Sequence, residues 1–280
     1  MNLDALRVEG GFRIRGEAVT RLETFVDAAF AFAVTLLVVS FEAMPNSFAE
    51  LYDALRRLPA FLAGFAIIAM FWAAHNRFSR RFGIEDWTVV VLSLALVAAA
   101  LFYVYPLRMV MSAGMHHLTF GWAPSELKVS STLEYRLVWV IYGSGFAVLA
   151  GLIALLNAHA LKRADALTLD AAERAIARAD IVAMTVLMSC AVLSVNIAMN
   201  LPERPGWQFG LPGFAYALLG IVLPIYGVRS RRRIDALVRL RDAASPPGEP
   251  APAPESTPLP VPALTTLPPT APPAVVSTTT

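Results

Sequence analysis

Two ionisable side chains lie inside apolar stretches of this sequence, where they could move a proton or hold a cation. Asp27 follows the start of an apolar run over residues 21–43, and His75 lies near the end of the next apolar run. Ionisable groups at such a depth are costly in a membrane and often mark ion paths or proton relays. A second interpretation is structural: neighbouring donors satisfy the Asp27 carboxylate, which must be paired at such a depth. The candidate partners of Asp27 are Arg21, Trp72, His75 and Asn76.

The composition is that of a membrane protein. Apolar residues make up 57% of the 280 residues and the mean hydropathy is +0.58, whereas soluble domains are about 45 to 50% apolar. The charged N-terminus contains no apolar stretch of signal-peptide length, so we expect no cleaved targeting segment. The only cysteine, Cys190, excludes an intrachain disulfide.

The sequence lacks the motifs of several common enzyme and channel classes. It has no Gly-x-x-x-x-Gly-Lys phosphate loop, no Gly-x-Ser-x-Gly elbow, no His-Glu-x-x-His helix and no Thr-Val-Gly-Tyr-Gly filter. The adjacent His116 and His117 lack a nearby cluster of further ligands, which makes them a weak metal signal. We therefore expect a protein that is not an enzyme, with no cofactor, no metal site and no nucleic-acid partner.

Six apolar runs of helical length predict an all-α integral membrane protein with six spans. The predicted spans are residues 21–43, 58–78, 87–111, 133–161, 181–201 and 209–228. Residues 48–57 are predicted to form a short amphipathic connector, and residues 162–180 a charged one. His116 and His117 fall in the predicted loop after the third span.

The distribution of basic residues predicts which side of the membrane holds the termini. Six spans leave both termini on one side, and that side carries 17 of the 23 lysine and arginine residues. Basic residues are enriched in cytoplasmic loops, so we expect both termini in the cytoplasm of a bacterial cell, with a multi-pass protein in the inner membrane. The first helix then runs outward.

The domain boundaries follow from the same patterns. Residues 1–20 are predicted to be a cytoplasmic N-terminal segment, residues 21–230 the six-span domain, and residues 231–242 a basic cytoplasmic segment. The run from Arg229 to Arg233 is predicted to stop transfer and to contact lipid headgroups. Residues 243–280 contain 12 of the 20 prolines and no lysine or arginine. This composition predicts a disordered tail.

The first helix presents two different faces. One stripe at helical spacing starts at Phe25 and contains Ala28, Phe32, Thr35 or Leu36, and Val39. The other starts at Asp27 and contains Ala31, Val34 and Val38. Because each residue turns the helix by about 100°, the stripes point in different directions. One face is expected to line a path while the other packs.

The residues of this helix resemble a known family. Arg21, Phe25 and Asp27, followed by an apolar run into Thr35 and two leucines, are similar to the first-helix signature of the transmembrane protein 175 potassium channels, bacterial type (domain of unknown function 1211). Trp72 and His75 are similar to the Trp-x-x-His of that family's second helix. Val26 stands where the family has a serine, and Phe32 where it usually has isoleucine or leucine.

The resemblance implies a homotetramer in membrane lipid, with four first helices around a pore that conducts potassium passively. It implies that Phe32 is a hydrophobic constriction, Thr35 a polar ring beyond it, and Leu36 and Val39 the next apolar layers. The implied lock near the pore consists of Arg21, Phe25, Asp27, Trp72, His75 and Asn76. Two alternatives stay open: a proton- or ion-coupled transporter that uses Asp27 and His75, and, as a weaker alternative, a membrane-embedded enzyme.

Other polar and small residues favour helix packing. A stripe on the fifth helix is predicted to make interhelical hydrogen bonds or to line a vestibule; its members are Thr185, Ser189, Asn196 and Asn200. Gly143, Ala147 and Gly151 lie at four-residue spacing on the fourth helix, where small residues let backbones approach closely.

Overall fold

The computed structural model describes residues 6–38, 46–203 and 207–244. Apart from a two-stranded hairpin, the regular structure of these residues is helical. The helices are α1 (Arg21–Val38), α2 (Phe48–Phe82), α3 (Trp87–Leu118), α4 (Thr132–Lys162), α5 (Ala171–Met199), α6 (Leu211–Ala217) and α7 (Leu219–Ala244). A 3-10 turn, Trp207–Gly210, precedes α6.

Five helical stretches of the described chain are long and apolar enough to cross a membrane. They are α2, α3, α4, α5 and the stretch Gln208–Ala243, which contains α6 and most of α7. The 18 residues of α1 carry three charged side chains, at Arg21, Glu23 and Asp27, so α1 is not among the five. The last part of its predicted span, residues 39–43, lies outside the described residues. The count of six spans therefore stays a prediction.

The N-terminal segment forms a β-hairpin. Strand β1 (Val8–Glu9) pairs antiparallel with β2 (Phe12–Arg13), with Val8 opposite Arg13. Gly10 and Gly11 connect the strands with φ values of 56° and 84°. A two-residue turn with positive φ at both positions matches the twist of a hairpin, and glycine adopts it without strain.

Helix α2 is longer than predicted, and the expected connector at residues 48–57 is its first part. The Ser47 hydroxyl caps the helix by accepting from the Glu50 N–H at 3.2 Å, and Pro59 lies inside the helix. At about 1.5 Å per residue, 35 residues extend about 52 Å, well beyond a bilayer core of about 30 Å. The charged residues at 53, 56 and 57 therefore fit a part of the helix that extends beyond the bilayer core, and they do not end the helix.

Helix α3 also exceeds its prediction, and it places His116 and His117 in its last turn instead of a loop. The chain leaves the helix through Phe120 and Gly121, both with positive φ. His116 Nδ1 lies 2.8 Å from the Ala123 carbonyl oxygen. This histidine therefore fixes the loop that follows. Within the described residues no cluster of three or more histidine, cysteine or acidic side chains could hold a metal ion.

The second half of the chain differs from its prediction at two helix ends. Helix α5 begins at Ala171, inside the predicted charged connector, because Asp170 and Glu173 form a capping box. The predicted last span is interrupted at Leu218, and α7 continues through the basic segment to Ala244. Arginine is a good helix former, so a change from apolar to basic residues does not end a helix.

The helices pack in chain order around an aromatic core. Helix α1 packs against α2 and α3, α4 against α3 and α5, and α6 against α5. The rings of Tyr103, Tyr142 and Tyr216 lie in a row, with centroids 5.6 and 5.5 Å apart. Gly145 provides the room for this row, because a Cβ there would lie 2.6 Å from the Tyr103 ring.

Ion pairs hold one end of the bundle together, and we call it the hairpin end because the hairpin lies there. Asp86, the N-cap of α3, lies 2.7 Å from His159 Nε2 and 2.9 Å from Arg163 of the α4 end. Burial alone would raise the pKa of Asp86, but the hydrogen bonds from His159 and the Val89 N–H, together with the nearby Arg163 guanidinium, lower it. Arg81 pairs with Asp180 of α5.

A glycine on α4 offers a test of this packing. A Cβ at Gly143 would lie 2.5 Å from Val195 Cγ2 and 3.2 Å from the Ala191 carbonyl oxygen of α5. Gly143→Ala should therefore destabilise the protein by about 1–3 kcal/mol, because α4 and α5 must separate. Thermal unfolding in detergent measures this change.

The matched control is Gly114→Ala in α3, where an added Cβ meets no atom within 4 Å. Alanine is the better helix former, so this variant should be as stable as the wild type or slightly more stable. Equal stability of both variants would contradict the close approach of α4 and α5.

Candidate functional site

Helix α1 has a buried row and an exposed row on opposite sides. The buried row consists of Glu23, Val26, Phe30, Ala33 and Leu37. The exposed row consists of Phe25, Ala28, Phe32 and Thr35. Each exposed residue lies two positions after a buried one, which turns the helix by about 200°. Two phenyl rings in the exposed row, Phe25 and Phe32, are 53% and 56% accessible in the protomer.

The predicted pore residues divide between these surfaces. Phe32 and Thr35 lie in the exposed row, and the Thr35 hydroxyl donates to the Ala31 carbonyl at 3.0 Å. Leu36 is partly buried and packs against the core, so it lies beside the exposed row and not in it. Val39 lies outside the described residues.

The predicted packing face of α1 was wrong by one residue. The stripe of Asp27, Ala31, Val34 and Val38 does not form the buried row, since Ala31 and Val38 are exposed. The buried row contains Val26 in place of Asp27. The helix is apolar on nearly every side, so the sequence gives little information on its rotation.

One predicted contact of the lock is present as a direct hydrogen bond. Trp72 Nε1 of α2 donates to Asp27 Oδ1 at 2.8 Å. The indole supplies the donor that a carboxylate in an apolar helix requires. This bond ties α1 to α2 at the edge between the buried and exposed rows.

The other members of the predicted lock make different contacts. His75 is 1% exposed, and its Nε2 lies 2.9 Å from Ser93 Oγ of α3, so His75 ties α2 to α3 and not to Asp27. Asn76 Nδ2 donates to Glu23 Oε1 at 3.4 Å. In the part of the chain that the structure describes, Arg21 is exposed and has no ion pair, and Phe25 belongs to the exposed row.

Sequence reasoning missed two residues of this site. Glu23 is buried in the first turn of α1, where its N–H donates to the Thr20 hydroxyl at 3.2 Å. The pattern of Thr20 and Glu23, three residues apart before an apolar run, is a signal for a helix start that could have indicated it. Ser93 carries no such signal, because it is one serine in a long apolar helix.

The polar stripe of α5 does not make the predicted interhelical bonds within the described residues. Each of its four side chains donates to a carbonyl one turn back on the same helix, and the four bonds are Thr185 to Ile181, Ser189 to Thr185, Asn196 to Val192 and Asn200 to Asn196. Ser194 makes the contact between helices instead, since its hydroxyl donates to the Pro212 carbonyl at 2.8 Å.

Comparison with known proteins agrees with the resemblance found on α1. Residues 21–103, which contain α1, α2 and half of α3, match the model of the endosomal/lysosomal potassium channel TMEM175 family. A potassium channel of Marivirga tractuosa is 29% identical over 221 residues, which cover 77% of this chain and 89% of the relative. The resemblance to the TMEM175 family is confirmed.

A solved structure supports the same conclusion for the fold. The crystal structure of a variant of the potassium channel MtTMEM175, in complex with a nanobody–MBP fusion protein, matches with a TM-score of 0.68 and 28% identity. The match covers 80% of this chain and 99% of that chain. The predicted all-helical membrane fold is therefore confirmed. The TMEM175 family and these relatives are potassium channels, which also confirms the prediction of a protein that is not an enzyme.

The bond between Asp27 and Trp72 can be tested with a single substitution. Trp72→Phe keeps an aromatic ring but removes the N–H that Asp27 accepts. A hydrogen bond to a charged group contributes about 1.5–3 kcal/mol, so the variant should unfold at a lower temperature and give less intact protein in size-exclusion chromatography.

The matched control is Trp87→Phe at the start of α3, because Trp87 is 79% exposed. Its thermal unfolding should equal that of the wild type. If Trp72→Phe were as stable as Trp87→Phe, the indole N–H would not be the group that satisfies Asp27.

Proposed function

We propose that this protein is a potassium-selective channel that conducts passively through a path lined by α1. The observation that supports this function is the row of Phe25, Ala28, Phe32 and Thr35, which faces away from the protomer while the opposite row is buried against α2 and α3. The relatives are named as potassium channels, and we take the ion from those names. The exposed row is the candidate surface for the path.

The proposed assembly is a homotetramer in which the exposed rows of four α1 helices surround one axis. Two phenyl rings per protomer, from Phe25 and Phe32, would then face other copies or the path instead of lipid. A ring of apolar side chains can close a path by excluding water, without any moving plug. Phe32 is the proposed constriction, Thr35 the polar ring next to it, and Leu36 and Val39 are proposed to support the adjacent layers.

The proposed selectivity depends on the cost of removing water from the ion. The sequence has no filter of backbone carbonyls of the usual potassium-channel type, so a narrow apolar ring must discriminate by dehydration. The Thr35 hydroxyl, which already donates to the Ala31 carbonyl, has its oxygen lone pairs available to an ion that has passed Phe32.

The proposed orientation places the hairpin end in the cytoplasm of a bacterial inner membrane. Four separate segments of the chain bring basic side chains to that end, and contacts between them support a common location: Arg15 with Glu173, Arg81 with Asp180, Arg163 with Asp86 and Arg241 with Asp170. Clusters of arginine are typical of cytoplasmic segments.

The lock and the transporter alternative make different demands on Asp27 and His75. A shared proton would require a hydrogen bond between them or a chain of donors. Asp27 accepts from Trp72, whereas His75 Nε2 lies against Ser93. These two separate contacts support the lock. They fit a channel in which Asp27 ties α1 to α2 and His75 ties α2 to α3, and in which neither residue carries a proton.

Substitution at Phe32 tests the proposed path. Phe32→Ala should raise potassium flux into liposomes by about tenfold, which corresponds to a barrier lower by about 1.4 kcal/mol. It should also reduce the ratio of potassium to sodium flux, because a wider ring admits hydrated ions. Thr35→Val nearly keeps the side-chain shape and removes the hydroxyl, so it should change the flux ratio more than the total flux.

The control is Phe102→Ala on α3, a phenylalanine that is 79% exposed and lies outside α1. Its flux and flux ratio should equal those of the wild type. If Phe32→Ala and Thr35→Val also behaved like the wild type, α1 would not line the path, and the assignment of these residues would be withdrawn.

A further inference from the structure

A buried carboxylate anchors the N-terminal hairpin to the helical bundle. Glu173, in the first turn of α5, is 0% exposed. The Arg15 guanidinium donates to both of its oxygens, at 3.0 Å and 2.9 Å, and the Arg13 backbone N–H donates to one of them at 2.9 Å. The Arg15 side chain is itself only 3% exposed. Arg15 and Glu173 thus form a bidentate ion pair, which fixes both the orientation of the two side chains and the distance between them.

A buried aromatic ring holds the same hairpin against the end of α2. Phe12 is 0% exposed and its ring meets that of Phe82 edge-on, with centroids 5.3 Å apart. The guanidinium groups of Arg15 and Arg81 lie 5.6 Å and 5.5 Å from the Phe12 centroid. Cations at this distance from an aromatic ring are attracted to its face.

The anchored segment leads directly into α1. The Gly16 N–H donates to the Arg80 carbonyl at 3.0 Å, and the Arg80 side chain donates to the Glu17 carbonyl at 3.1 Å. A Cβ at Gly16 would lie 2.5 Å from the Ser79 carbonyl oxygen, so the backbone of this segment touches that of α2. Thr20 then caps α1 by accepting from the Glu23 N–H. Little free chain separates the anchor from the helix.

Apart from the anchored segment, few directional contacts hold α1 against sliding or rotation. Its buried row meets α2 and α3 mainly through apolar side chains, such as Leu37 against Gly64. Two side-chain hydrogen bonds join it to α2, and one of them, from Asn76 to Glu23, is long at 3.4 Å. A shift of the helix by one residue would turn Phe32 and Thr35 by about 100°.

We propose that Arg15 and Glu173 are positioning residues that fix the start of α1 and thereby the rotation and depth of Phe32 and Thr35. The proposal rests on the proposed function, because it concerns the path that α1 lines. Buried ion pairs add little net stability compared with apolar residues, and their best-attested role is to specify one arrangement. A conducting row must be held to within about 0.5 Å, which an anchor at the adjacent end provides.

The test measures potassium and sodium flux into liposomes, per assembled oligomer, for variants of the full chain. Arg15→Gln and Glu173→Gln should reduce the ratio of potassium to sodium flux at least about twofold, because α1 then occupies several positions. Arg15→Lys keeps the charge but cannot form the bidentate contact, so it should give a ratio of potassium to sodium flux between those of the wild type and Arg15→Gln. Arg7→Gln is the matched control: Arg7 pairs with Glu9 on the exposed side of the same hairpin, and its ratio should equal that of the wild type.

Gly16→Ala tests the same idea without touching the ion pair. Its Cβ pushes the segment before α1 away from α2, so the flux ratio should fall, whereas Gly114→Ala should keep it. A wild-type ratio in Gly16→Ala, or in the assembled Arg15 and Glu173 variants, would overturn the proposal. Failure of all of them to assemble, with normal assembly of both controls, would also overturn it and leave the hairpin a role in folding alone.

The Phe32→Ala variant separates this proposal from the proposed function. A wild-type flux ratio in Phe32→Ala would mean that α1 does not line the path, and the proposed function and the positioning role would fall together. A changed ratio in Phe32→Ala, with unchanged ratios in Arg15→Gln and Gly16→Ala, would overturn only the positioning role.

Discussion

The carboxylate of Asp27 constrains how α1 is placed against its neighbours. It lies in the second turn of a largely apolar helix, where few neighbouring side chains can donate a hydrogen bond to it. The indole N–H of Trp72 supplies that donor at 2.8 Å. Because the bond fixes Asp27 at the side of α2, it contributes to the direction in which Phe32 and Thr35, five and eight residues further along α1, point. The direction of the exposed row, with Phe32 and Thr35, depends on this pairing, on the packing of the opposite row and on the segment anchored before α1.

The described bundle has ion pairs at its two ends and mainly apolar contacts between them. This distribution is the one expected of a protein whose middle lies in lipid. At the hairpin end, acidic residues of α3 and α5 pair with histidine and arginine, as in Asp86 with His159. At the other end, Glu126 accepts from both Arg57 and Arg108, at 2.9 Å and 2.5 Å. Between the ends, glycines let the helices approach closely, as at Gly145 against the Tyr103 ring and Gly143 against Val195. Close packing of this kind matters in lipid, because apolar side chains gain little from association in hydrocarbon.

The sequence predicted which side chains of the site need a hydrogen-bond partner better than it predicted which residues those partners are. An acid in an apolar helix requires a donor, so the contact between Asp27 and Trp72 could be predicted. The contact between His75 and Ser93 could not, because it depends on the relative rotation of α2 and α3 and not on spacing within either helix. The α2 start was misread because charged residues suggested a connector, although helix formers and the Ser47 cap continue the helix. The hairpin does carry a signal, Gly10-Gly11 between short strands, that went unused.

The rotation of α1 is the feature that sequence periodicity determines least and that the proposed path depends on most. A helix that is apolar on nearly every side can bury several faces with similar gain, so the hydrophobic effect alone leaves its rotation open. The polar contacts remove this freedom because each requires a particular direction: Glu23 toward Asn76, Asp27 toward Trp72, and the anchored hairpin at Gly16. These contacts lie at or before the first two turns of α1, whereas Phe32 and Thr35 lie beyond them. The rigid backbone of the helix therefore transmits a direction set near the hairpin end to the residues proposed to meet the ion.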